Sequence, residues 1–182
     1  MIWLLWHWVC RRRVGGIDLK PSDGYYHEIS AIIVTVLCGI VAIFLMVPAP
    51  LLGIGIFLGS VCGLFVDSDL DSIGTTRAEY RAYRMSRLLG AAFQAYFTFY
   101  AVICGSHRSK LSHGGPPPLG WLRMILVATP FRMLYSLWWL VPLGCLWPPL
   151  WQLFLWLGWQ FLLGLYVGWA IQDIVHWQRD YL

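Results

Sequence analysis

Taken as a string of apolar and polar positions, the chain falls into long uncharged runs separated by short polar clusters. Residues 29–47, ISAIIVTVLCGIVAIFLMV, carry no charge and are long enough to be read as a membrane-spanning helix. PAP at 48–50 makes a tight turn, because two prolines cannot continue the helix. A shorter span follows at 51–66, LLGIGIFLGSVCGLFV, in which Gly55, Gly59 and Gly63 recur every four residues. That spacing makes a small face which lets another helix backbone approach closely. The run leads into DSDLDS and then into a basic helical stretch with Arg77, Arg81, Arg84 and Arg87. Residues 88–105, LLGAAFQAYFTFYAVICG, are long enough to span but are heavily aromatic and contain Gln94 and Thr98. After HRSKLSHGGPPP come an apolar stretch from 119 to about 140 and the uncharged VPLGCLWPPL at 141–150. A last span from about 151 to 172 carries the small pair Gly164 and Gly168 and ends in QDIVHWQRDYL.

Composition sharpens this pattern. Of the 182 residues 59% are hydrophobic and only 12% charged, about half the charge of a soluble domain. The expected fold class is therefore an all-α integral membrane protein with about four transmembrane helices plus interfacial helices. Residues 1–21, which include MIWLLWHWVCRRR, have their charges after an apolar stretch too short to span, so they read as an interfacial aromatic and basic segment rather than a cleavable signal. Residues 22–182 then form a helical membrane domain. The net charge of +4 does not point to nucleic acid, because the bases flank apolar segments where topology explains them. Cysteines at 10, 38, 62, 104 and 145 show no CxxC spacing and read as packing residues.

Charge also speaks to the ambiguous segment. Arg11, Arg12, Arg13 and Lys20 place the N-terminus on the cytoplasmic side. If 88–105 does not cross but lies along the interface or re-enters, four spans remain and both outer loops, PAP and VPLGCLWPPL, are free of charge. If it crosses, Arg108, Lys110 and Arg179 fall outside, against the positive-inside rule. The expectation is four spans in the inner, cytoplasmic membrane. His27, Glu28, Asp67, Asp69, Asp71, His107, His113, Asp173 and His176 then all stand at the cytoplasmic ends of helices. Asp173 and His176 are three apart and share a helix face.

Imidazole and carboxylate together suit zinc, manganese or iron, and carboxylates alone also accept magnesium. One or two such ions would activate water on a phosphoester. DSDLDS is not an EF-hand loop, since its glycine falls at position eight and Ala78 at position twelve. Taken singly, the acidic turn also reads as a helix cap and the arginines as a topology-setting basic face. Arg132, inside a span, is either snorkelling or paired with a buried acid.

GYYHEIS, LGSVCGLFVDSDLDS, HRSKLSHGG and QDIVH occur in an order that resembles the bacterial membrane metal-binding proteins of the DUF2227 type. Those are distantly similar to the YdjM-type membrane-bound metal-dependent hydrolases. The resemblance covers residues 22 to 177, although Val66 and Ser68 stand where the family favours serine and proline. It implies a metal site built from His27, Asp67, Asp69, His107, His113, Asp173 and His176, with Arg108 and Ser112 supporting it or touching substrate. Two functions are expected to compete. One is a metal-dependent hydrolase acting on a phospholipid or phosphorylated lipid at the cytoplasmic membrane face. The other is a non-catalytic, metal-stabilised membrane subunit that packs through its glycine faces against a protein partner. A metal transporter is a weaker third, because Arg132 is the one ionisable residue deep in an expected span.

Overall fold

Uncharged runs must satisfy their backbone polar groups within themselves when water is absent, and helices do so. The computed structural model describes residues 21–66, 85–105 and 110–181, and every element among them is helical. Helix α1 is Pro21–Leu45, α2 Pro50–Phe65, α3 Arg87–Cys104, α4 the single turn Lys110–His113, α5 Gly120–Leu146 and α6 Pro149–Tyr181. Residues 1–20 of the expected interfacial segment, and the acidic and basic stretches from Asp67 to Arg84, lie outside the described residues.

By length and composition α3, α5 and the Gln152–Gln178 part of α6 are able to cross a membrane. The chain is thus a multi-pass membrane protein. Ile29–Leu45 of α1 and Pro50–Leu64 of α2 are shorter. With 16 residues α2 is about 24 Å long, against the roughly 30 Å of a hydrocarbon core. The set of candidate spans therefore differs from the expected four. The segment expected to lie along the interface or re-enter is an uninterrupted 18-residue helix, long and apolar enough to cross as α5 and α6 are. Charge bias weighs the loops on either side of a helix; it does not measure the helix itself, and isolated Gln94 and Thr98 do not disqualify one.

Helices α2 and α6 approach most closely, through their glycines. A Cβ on Gly55 would stand 2.9 Å from Leu165 N and 3.0 Å from Gly164 Cα, and one on Gly168 would stand 2.8 Å from Ser60 N. At Gly55 and Gly59 this face does receive a helix backbone, as its spacing predicts, while Gly63 lies against the side chains of Gln172 and Trp169. The partner is α6 of the same chain, so the two glycine faces meet each other and are not displayed to a second protein. Gln172 adds a polar staple: its Nε2 donates to Ala31 O and Thr35 Oγ1 at 2.9 Å and to Ser60 O at 3.2 Å, joining α6 to α1 and α2. Trp169 Nε1 donates to Val66 O at 3.2 Å, at the C-terminal end of α2.

Helix α3 packs on α5 through aromatic rings. Phe97, Tyr100 and Tyr135 are buried there with Cys104, and Tyr135 Oη donates to Tyr96 O at 2.6 Å. Helix α5 departs from the sequence reading in two places. Its Met124–Ala128 segment is a π-turn, in which Thr129 N donates to Met124 O. Pro130 explains the widening: it has no N–H to give the carbonyl four residues back and its ring crowds that carbonyl. At the other end, α5 runs through Pro142 to Leu146, so the loop expected over 141–150 shrinks to Trp147 and Pro148. A helix in an apolar surround tolerates that proline because unwinding would expose more unpaired groups than the one carbonyl it frees. Helix α6 is broken at Gly158, where φ is 66° and ψ −173°.

Candidate functional site

The polar residues gather where α4, the glycine–proline loop and α5 meet the C-terminal part of α6. The loop is shaped by its composition. Gly114 and Gly115 have φ of 67° and 81°, a left-handed backbone that favours glycine, and the prolines that follow prevent α4 from continuing. Trp177 Nε1 donates to Gly115 O at 2.8 Å and straps the loop to α6. A side chain on Gly120 would meet that indole, with Nε1 2.7 Å away. The strap turns the end of α4 inward, so that Ser112 and His113 are completely buried.

Beneath them lies a buried ion pair. Arg132 Nη1 donates to Asp173 Oδ1, and Arg132 Nη2 donates to Ser112 O at 2.7 Å. Thr129 Oγ1, one turn before Arg132 on α5, donates to the other carboxylate oxygen of Asp173 at 2.6 Å. Arg132, Thr129 and Asp173 have at most 1% of their surface exposed. Of the two readings of Arg132 offered by the sequence, pairing with a buried acid is the one realised. An arginine at a helix centre in a bilayer costs about 2.5–3.5 kcal/mol even on insertion scales, so a neutralising partner decides whether it is tolerated.

Against this pair stand two histidines. The Ser112 hydroxyl and His113 Nδ1 are 3.0 Å apart, a hydrogen bond that orients the ring. The rings of His113 and His176 are 5.9 Å apart between centroids and inclined at 65°. Two imidazoles on one tetrahedral ion, with metal–nitrogen distances near 2.1 Å, would hold their centroids roughly 5 Å apart. The observed spacing lies within about 1 Å of that requirement, which small rotations of two side chains cover.

The structure thus brings together five of the residues singled out in the sequence: Ser112, His113, Arg132, Asp173 and His176. It does so by direct contact, whether or not α3 crosses. Asp173 shares its helix face with His176 as its spacing predicts, but both its carboxylate oxygens are engaged by Arg132 and Thr129. Among the described residues no group of three His, Cys, Asp or Glu is arranged to hold a metal ion. Asp67, Asp69, His107 and Arg108, and the side chain of His27, lie outside the described residues. Their described neighbours do reach α6: Val66 meets Trp169, and Ala31, one turn after His27, meets Gln172. The sequence reading passed over Thr129, Gln172 and Trp177. For Trp177 and Gln172 the one available signal was their place within a turn of Asp173 and His176. Comparison with family models, curated proteins and solved structures returns no match for this chain.

Proposed function

We propose that this multi-pass membrane protein binds a divalent metal ion and uses it to hydrolyse a phosphoester or lipid-like substrate at the cytoplasmic face of the inner membrane. The observation that carries the metal reading is the pair His113 and His176. They come from segments 63 residues apart (176 − 113) and meet at 5.9 Å beside a buried ion pair, in a chain with few polar side chains. Two imidazoles favour zinc, iron or manganese over magnesium. The remaining ligands would be His107, His27, Asp67 and Asp69, whose motifs carry the resemblance to membrane metal-binding proteins; near His27 and Asp67 along the chain, Ala31 and Val66 meet α6 at Gln172 and Trp169. Asp173 takes the part of counter-ion to Arg132 rather than ligand. The ion would supply Lewis acidity toward water and a phosphoryl oxygen. Ser112 orients His113, and Arg108 is placed by its motif to meet an anionic substrate.

A second reading has its own support. His113 is fully buried and His176 nearly so. A structural metal site is closed by protein ligands, whereas a catalytic one keeps a position open to water. A non-catalytic, metal-stabilised membrane protein therefore competes with the hydrolase.

Metal analysis of the purified full chain tests the shared premise. Wild type is expected to carry zinc, iron or manganese, and His113→Ala with His176→Ala to lose it; equal metal content in the two would sink the site. Release of phosphate from phosphorylated lipid in vesicles, abolished by the same substitutions, then selects the hydrolase. A metal-dependent melting temperature without turnover selects the structural reading.

A further inference from the structure

Arg132 does more than neutralise a buried acid. A guanidinium that served Asp173 alone would need one of its edges, yet here Nη1 goes to Asp173 Oδ1 and Nη2 to Ser112 O. The two acceptors belong to different parts of the chain. Ser112 immediately precedes His113 and its hydroxyl meets His113 Nδ1. Asp173 precedes His176 by three residues on one helix face, and its second oxygen is fixed by Thr129. One rigid planar group thus grips the backbone beside one histidine and the carboxylate one turn before the other.

We infer that Arg132 is a positioning residue, whose forked guanidinium sets the separation and facing of His113 and His176. This rests on the proposed two-histidine metal site for its purpose, though not for its geometry. Lysine cannot replace it: an ammonium keeps the charge opposite Asp173, but as a point donor it lacks the fixed fork that spans both acceptors. Residues that orient metal ligands in this way alter affinity by roughly 10–100-fold when changed.

The test uses the full chain in detergent or nanodiscs and two independent readouts. Arg132→Lys keeps the site neutral, and the double variant Arg132→Met with Asp173→Leu removes both charges together; circular dichroism and size exclusion establish that each is folded. Zinc titration is expected to show a loss of roughly 10–100-fold in affinity for both relative to wild type. The second readout needs no metal. In a background with the native cysteines replaced by alanine, His113→Cys with His176→Cys is treated with a short bifunctional thiol reagent, and mass spectrometry separates bridged from singly modified protein. Bridging is expected with Arg132 present and a several-fold fall with Arg132→Lys. Unchanged bridging in folded Arg132→Lys protein overturns the positioning role. A wild type that binds no zinc removes the metal reading, and the bridging arm then decides the role of Arg132 by itself.

Discussion

Gly168→Ala is the smallest change that probes how the fold is held together. A methyl group there would stand 2.8 Å from Ser60 N and 2.9 Å from Ile56 C, with the Ile56 carbonyl oxygen closer still. All three are backbone atoms of α2, so no side-chain rotation relieves the overlap and the two helices must separate. Overpacking of this kind costs about 1–3 kcal/mol, and the upper part of that range applies where the obstacle is backbone. Alanine returns roughly 1 kcal/mol through its better helix propensity. The net loss is about 2 kcal/mol, or roughly 4–8 °C in melting temperature for a chain of this size. Gly39→Ala is the control. Its new methyl would touch only the Phe57 ring, at 3.5 Å, an ordinary contact, so the propensity gain of up to about 1 kcal/mol is kept. Thermal unfolding in one detergent, followed by circular dichroism, should therefore show shifts of opposite sign. If Gly168→Ala is as stable as wild type, or both variants move together, the close approach of α2 and α6 is wrong.

Three further changes test the polar contacts. Trp177→Phe keeps a ring in place but removes the bond to Gly115 O; it should cost about 1 kcal/mol and speed proteolysis within residues 114–119, and unchanged cleavage would deny the strap. Gln172→Leu removes the donor that joins α6 to Ala31, Thr35 and Ser60 and should lower stability by about 1–3 kcal/mol, read as an earlier thermal transition. Arg132→Met alone leaves Asp173 charged and buried and should cost about 3–5 kcal/mol, whereas adding Asp173→Leu should recover most of that loss. Equal melting temperatures for the single and double variants would show that the carboxylate is not held as an ion.

What the sequence revealed, and what it hid, divides along a physical line. Features set within one segment were readable: the apolar runs, the PAP turn, the glycine face of α2, and the shared face of Asp173 and His176. Each follows from spacing along a single helix, and the helix repeat converts spacing into direction without knowledge of neighbours. Whatever depends on a second segment was not readable. The partner of Arg132 lies 41 residues away on another helix, and nothing in the period of either helix names the other. For the same reason the pattern left the neighbour of Asp173 open, since a carboxylate three residues before a histidine looks alike whether it faces a metal or a guanidinium. One proline misled for a related reason. Pro142 reads as a break because its cost is local, whereas the benefit of continuing the helix belongs to the apolar surround. Pro130 widens a turn, and that widening precedes the very segment from which Thr129 and Arg132 reach Asp173. The polar centre is thus assembled from residues whose local signals were weak or ambiguous one by one; their meaning arises from the contact between α5 and α6. A rule based on loop charge has no access to that contact, which is why the site survives the change in the number of candidate spans.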